Sequence, residues 1–265
     1  MTDRRLHPPA DQVTRDEPAR ISVPIIDLTR GPGGARDRQL LFGDAVRVLN
    51  REGDFALVRA DKDGYCGTLP ATALASPIAA THKVTARLTH AYAAPDFKSP
   101  DLMALPFAAR LAARSETPTF IETDCGFVPR QHVHPLDTHA TDPAAVAAVF
   151  LGTPYLWGGN SHLGIDCSGL VQAACLACGL PCPGDSDQQA DGLGADLPED
   201  AALRRNDLIF WKGHVAMVSD DTTLIHANAG HMAVVHEPIR DAITRIETQG
   251  DGLPTRRKRL SLTAA

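Results

Sequence analysis

The chain has 265 residues, more than one ordinary domain, and its 43% hydrophobic and 22% charged residues give a globular protein enough apolar material for a sizeable core. A formal charge of −6 and a pI near 6.0 argue against nucleic acid or an anionic membrane as the main partner. The opening run M-T-D-R-R-L-H-P-P has no apolar stretch after its arginines, and no apolar run reaches membrane-spanning length, so a cytoplasmic location is expected. In such a compartment the six cysteines (66, 125, 167, 175, 178 and 182) read as thiols, one of them a candidate nucleophile, rather than as a disulfide framework.

Residues 1–35, rich in Pro, Arg, Asp and Gly, read as an extended arm with one short strand at 21–28. Over 36–78, apolar runs at 45–49, 55–59 and 65–69 alternate with the turns Arg51-Glu52-Gly53-Asp54 and Asp61-Lys62-Asp63-Gly64, which predicts a small all-β barrel. Residues 79–138 repeat the style more loosely, with strands expected at 83–88, 108–112 and 119–121. The stretch Asp124-Cys125-Gly126-Phe127-Val128-Pro129 echoes Gly64-Tyr65-Cys66-Gly67-Thr68-Leu69-Pro70, so a second barrel of related design is expected.

The texture changes in 139–265. Thr141-Asp142-Pro143 is a helix start, with a capping residue and Pro just inside, and Gly152-Thr153-Pro154 stops that helix. A 3.6-residue period returns at 167–178, and strand-like runs follow at 207–211, 214–219, 223–226 and 232–236. Helices followed by a run of strands predict an α+β domain.

Within G-I-D-C-S-G-L (164–170), Cys167, Leu170, Val171, Ala174, Cys175 and Cys178 fall on one helical face, and Gly179 then Pro181 end the helix. Cys167 therefore sits in the first turn, with Asp166 as a candidate N-cap. Free N–H groups and the helix dipole there favour a thiolate and can stabilise an oxyanion. On this pattern alone a nucleophile and a packed structural thiol are equally compatible readings. His214 opens a strand after Gly213, in reach of a general-base role, and His226 ends the next strand. If the two strands pair antiparallel through the turn 219–222, the two imidazoles meet.

Four ordered motifs carry a resemblance. Gly152-Thr153-Pro154-Tyr155-Leu156-Trp157-Gly158-Gly159, Asp166-Cys167-Ser168-Gly169-Leu170-Val171, Asn206-Asp207-Leu208-Ile209-Phe210-Trp211 leading into Gly213-His214-Val215-Ala216-Met217-Val218, and Ile225-His226-Ala227 together resemble the NlpC-type cysteine peptidases of bacterial cell-wall metabolism. The resemblance implies a papain-like α+β domain over 139–265, with Cys167 as nucleophile, His214 as base and His226 orienting it; it implies no cofactor. Two preceding all-β SH3-like units are similar to a subgroup that cleaves the γ-D-glutamyl–L-diamino acid bond of murein stem peptides. Carried over by position, Asp185, Ser186 and Tyr65 would close the site and recognise a free N-terminal L-Ala. A carboxylate in a cleft suits that task because it pairs with an ammonium group. Tyr155 would donate near the oxyanion and Trp157 would wall the pocket, with core packing as the competing reading for both. Asp166 and Ser168 would contact substrate, with capping as the competing reading for Asp166. Gly184 departs from the arginine many relatives carry just before the Asp-Ser pair.

Two further features invite other readings. Cys175, Cys178 and Cys182 have a metal-like spacing, but the first two lie on the helical stripe, so a metal site is not expected. The basic run 256–259 reads as a solvated face.

Overall fold

Short extended runs punctuated by Gly, Asp and Pro make the first half of the chain all-β. In the computed structural model, which describes residues 3–262, the chain divides between Thr138 and His139 into two units.

In the first unit, β1 (Glu17–Ile21), β2 (Ile25–Thr29), β3 (Arg36–Leu41), β4 (Ala45–Glu52), β5 (Phe55–Ala60), β6 (Cys66–Pro70) and β7 (Leu74–Ala75) form an antiparallel sheet in the order β3-β2-β6-β5-β4-β1-β7. The alternation of β5 buries Ala56, Val58 and Ala60 in one core with Val46, Val48 and Leu69. The expected arm to residue 35 is corrected here. β1 pairs with β4 and β7, β2 pairs with β3 and β6, and Ala19, Ile21 and Leu28 are buried, so the sheet of this module starts at Glu17. Pro18 and Pro24 break the apolar alternation, which is why the segment reads as irregular.

The rest of the unit holds β8 (His82–Val84), β9 (Leu88–Tyr92), β10 (Asp101–Pro106), β11 (Arg110–Leu111), β12 (Ala113–Glu116), β13 (Phe120–Thr123), β14 (Gly126–Pro129) and β15 (Val133–Pro135). They form a five-stranded and a three-stranded sheet around a core that includes Val84, Ala91, Leu105, Leu111, Ile121 and Val128. The run expected as one strand at 83–88 breaks instead between β8 and β9, and β10 is an additional strand. The sequence echo has a structural counterpart. β6 and β14 each end in a proline that leads into a 3-10 turn, Ala71–Ala73 or Arg130–His132, and then a short strand.

The second unit is α+β. It comprises α1 (Pro143–Ala148), β16 (Asn160–Ser161), β17 (Gly164–Ile165), α2 (Cys167–Ala177), α3 (Ser186–Gly192), β18 (Ala195–Asp196), β19 (Asp207–Trp211), β20 (His214–Val218), β21 (Thr223–Asn228), β22 (Ala233–Pro238), α4 (Ile239–Thr248) and β23 (Arg256–Arg259). The main sheet runs β18-β23-β19-β20-β21-β22, all antiparallel. α4 buries Ile239, Ala242 and Ile246 against Ile209, Trp211, Ala216, Val218 and Leu224, while α2 packs on β20 and β21. α3 and α4 are elements the sequence reading did not assign.

The basic run is a second correction: 256–259 is not a solvated face but β23, paired with both β18 and β19. Lys258 is buried, and Arg259 grips the buried Asp207 carboxylate through Nε–Oδ1 at 2.8 Å and Nη2–Oδ2 at 2.7 Å. Among the described residues no helix is long and apolar enough to cross a membrane.

Candidate active site

Asp166 builds the turn that presents Cys167. Its Oδ1 accepts from the Gly169 N–H at 2.6 Å and from Ser168 Oγ at 3.0 Å, and its Oδ2 accepts from the Gly158 N–H at 2.9 Å. A carboxylate satisfying the first-turn donors is an N-cap. Gly169 is needed for that closure: a Cβ there would stand 2.6 Å from the Gly159 carbonyl oxygen. Asp166 and Ser168 are both buried, and the bond from the Gly169 N–H to Asp166 Oδ1 is the helix cap expected of Asp166.

Cys167 is 5% exposed at the start of α2. Burial pushes its thiol up to about 12, the Asp166 carboxylate adds to the rise, and the backbone N–H groups of Val215, Ser168 and Cys167 act the other way. The helix start favours a thiolate, but desolvation outweighs those N–H groups and leaves the sulfur a neutral thiol at neutral pH. Ionisation therefore needs a proton acceptor at hand.

Gly213, with φ of +76°, turns the chain between β19 and β20 and sets His214 opposite Trp211. The indole and imidazole centroids lie 5.6 Å apart. β20 and β21 pair antiparallel, with Val218 opposite Leu224, so His214 and His226 share a face of the sheet. His214 Nε2 lies 3.0 Å from His226 Nδ1. On β22, Glu237 lies diagonal to His226 on the same face, and its Oε2 is 2.9 Å from His226 Nε2. Arg245 of α4 holds both carboxylate oxygens, Nε to Oε1 at 2.9 Å and Nη2 to Oε2 at 2.7 Å.

Burial pulls the His214 imidazole down to about 3, reinforced by His226 and Arg245 and opposed by Glu237. His226 is also lowered by burial, against the pull of Glu237. Burial works against the Glu237 carboxylate too, but Arg245 and His226 outweigh it and hold it down to about 2. Both imidazoles are thus neutral at rest beside an ionised carboxylate.

Tyr155 sits next to this centre. Its phenol is raised by burial first, then by Cys167 and Asp166, and its backbone N–H donates to Met232 O at 2.9 Å. Trp157 is 64% exposed, which sets core packing aside for it. Asp185 is the N-cap of α3, its N–H meeting Gln188 Oε1 at 3.5 Å, and Ser186 is the first residue of that helix. Gln189 is fully buried; its Nε2 donates to Ser168 O at 2.9 Å and Pro183 O at 3.0 Å, tying the 183–189 segment to the nucleophile turn. Tyr65 lies in the first unit, buried in its core with the Arg38 guanidinium 5.7 Å from its ring centroid. Glu237 and Arg245 were not singled out by sequence reasoning. The available signal was a Glu at strand spacing from His226 once β21 and β22 pair. Among the described residues, no group of three or more His, Cys, Asp or Glu side chains is placed to hold a metal ion.

A helix-borne cysteine behind a strand-borne His pair, on an antiparallel sheet, defines a papain-like thiol-peptidase domain. Residues 152–249 match the NlpC/P60 family and residues 28–74 match the bacterial dipeptidyl-peptidase Sh3 domain. The chain carries an NlpC/P60 cysteine-peptidase domain preceded by a bacterial dipeptidyl-peptidase SH3 domain. Among curated relatives, the dipeptidyl-peptidase 6 of Lysinibacillus sphaericus is 34% identical over 40% of this chain and 42% of its own length. Gamma-D-glutamyl-L-lysine dipeptidyl-peptidases of Bacillus cereus and Bacillus subtilis are 28% and 30% identical, over 77% and 65% of this chain and 70% and 63% of theirs. The chain thus spans between about two fifths and seven tenths of these relatives. A crystal structure of an NlpC/P60 family protein from Bacillus cereus superposes with a TM-score of 0.78 at 22% identity, covering 93% of this chain and all of that one.

Proposed function

We propose that the chain is a cysteine endopeptidase that hydrolyses the γ-D-glutamyl–L-diamino acid bond of short murein stem peptides bearing a free N-terminal L-Ala. One observation carries this reading: the Cys167–His214–His226 site occurs in one chain with a segment matching the bacterial dipeptidyl-peptidase Sh3 domain. The relatives named gamma-D-glutamyl-L-lysine dipeptidyl-peptidase support the bond chosen.

In the proposed reaction His214 takes the Cys167 proton as the sulfur attacks the γ-carbonyl carbon. The carbonyl oxygen becomes an oxyanion that first-turn N–H groups of α2 and the Tyr155 hydroxyl stabilise; the position of Cys167 at the helix start and the nearness of Tyr155 to it support this. The C–N bond breaks as the imidazolium returns its proton to the diamino acid amine. Water, deprotonated by His214, then hydrolyses the thioester. Asp185 and Ser186 pair with the substrate ammonium, Trp157 walls the pocket, and a cytoplasmic, peptide-recycling location belongs to the same proposal.

The test is mass spectrometry of products from L-Ala-γ-D-Glu-L-Lys and its N-acetylated form. Release of L-Ala-D-Glu and Lys from the free peptide, with the acetylated one left intact, is the expected result. Equal cleavage of both forms would sink the amine-recognition element, and cleavage of neither would sink the proposal.

A further inference from the structure

We propose that Glu237 and Arg245 are positioning residues that fix the tautomer of His226 and, through it, of His214, leaving His214 Nδ1 as the nitrogen that takes the Cys167 proton. The inference rests on the thiol-peptidase reading for its catalytic meaning, but its geometry stands by itself.

Each step is forced by which atoms can donate. Arg245 offers only donors, and its two contacts to Glu237 keep that carboxylate ionised and therefore acceptor-only. Glu237 Oε2, 2.9 Å from His226 Nε2, then requires the proton of His226 to sit on Nε2. A neutral His226 so protonated has a bare Nδ1, which can only accept. His214 Nε2, 3.0 Å away, must donate to it, and a neutral His214 protonated on Nε2 has a bare Nδ1. A chain of two neutral imidazoles thus carries the polarity of a carboxylate from β22 to the nucleophile.

The anchor is itself held. Arg245 Nη1 donates to Gln249 Oε1 at 3.0 Å, one helical turn on, and Gly230 leaves room for the guanidinium: a Cβ there would lie 2.6 Å from Nη1. Burial lowers both His214 and His226, which agrees with both rings being neutral. The titratable and charged groups facing this chain are Cys167 with Asp166 at one end, and His231, Glu237 and Arg245 at the other.

A plain salt bridge joining α4 to β22 would show the same contacts, so the test reads protonation. Glu237→Gln keeps the shape. With the amide oxygen on Arg245 Nε in the place of Oε1, the NH2 group takes the place of Oε2 and faces His226 Nε2, which must then accept. Both tautomers invert, and His214 offers Cys167 an N–H instead of a lone pair. Long-range 1H–15N spectra of the histidine-labelled full chain at pH 7 read this directly, beside the pH dependence of iodoacetamide alkylation of Cys167 and steady-state kinetics on the tripeptide.

The expected result is Nε2–H on both His214 and His226 in the wild type and Nδ1–H on both in Glu237→Gln. Alkylation at neutral pH slows, and kcat falls by at least about a hundredfold with KM within about threefold, as for other wrong-tautomer variants. A wild-type His226 protonated on Nδ1 or on both nitrogens overturns the inference, and this reading needs no variant to fold. So does a Glu237→Gln protein that keeps its tautomers with kcat within threefold. If the wild type cleaves no tripeptide, the proposed substrate fails, while spectra and alkylation still decide the positioning role.

Discussion

His214 Nε2 and His226 Nδ1 lie 3.0 Å apart across two neighbouring antiparallel strands, and this contact joins the base to the rest of the buried polar chain. It leaves one nitrogen of His214 for the thiol and points the other away from it. In the proposed reaction, proton transfer to His214 accompanies attack, because burial raises the Cys167 thiol and lowers the His214 imidazole.

Acid should unfold the second unit in two overlapping stages. His214 and His226 have folded values below the ordinary 6.5, so the unfolded chain takes up protons there first and stability falls as pH drops below about 6.5. Glu237, lowered from 4.5 to about 2, contributes stability that is present above 4.5 and is lost as pH falls toward 2. Thermal melts from pH 8 to 3 should show Tm declining from pH 6.5 downward. His214→Gln should flatten part of the upper stage and Glu237→Gln part of the lower. A Tm that holds level from pH 7 to 4 would contradict the buried neutral pair.

Gly169→Ala should disturb the nucleophile turn directly. The new methyl group would press on the Gly159 carbonyl oxygen at 2.6 Å, a backbone atom with little freedom to yield, and would crowd Asp166 Oδ1 at 3.1 Å. A loss of about 1–3 kcal/mol is expected from such overpacking. Because Asp166 caps the turn that carries Cys167, kcat should fall together with Tm. A variant of unchanged Tm and rate would show that the turn tolerates a side chain and that this cap does not set the sulfur position.

Asp185→Asn tests recognition of the substrate amine. Replacing a carboxylate by an amide weakens a charge-assisted contact, so kcat/KM for the free tripeptide should fall about 10- to 100-fold. Most of the loss should sit in KM, and Tm should move little, since an Asn caps a helix nearly as well as an Asp. An unchanged kcat/KM would remove Asp185 from substrate binding and leave it as the cap of α3.

Much of the site was legible because its signals are local. The stripe through Cys167, Leu170, Val171, Ala174 and Cys175 is a helical period that the fold buries, and the histidine juxtaposition follows from two apolar strands joined by a short turn. The unread parts depend on distant partners. Glu237 sits between the exposed His236 and Pro238, so it looks like surface until β21 pairs with β22 and α4 brings Arg245 onto it. The run 256–259 has surface composition, yet a strand needs only one buried position there, Lys258, to run beside β19. β1 and β2 read in the sequence as an arm with a single short strand at 21–28, because their ladders include strands far along the chain and their apolar pattern is cut by Pro18 and Pro24. The neutral resting thiol was missed because helix position is a local signal, whereas desolvation is set by the whole packed domain.

The most direct test of the central claim is acid-quenched intact-mass analysis of the wild type and Cys167→Ala during turnover of L-Ala-γ-D-Glu-L-Lys. The wild type should carry an L-Ala-γ-D-Glu acyl group mapped to Cys167 and release lysine, while Cys167→Ala should keep its fold, carry no adduct and release none. Lysine release by a folded Cys167→Ala protein, or an acyl group mapped to any other residue, would contradict the account.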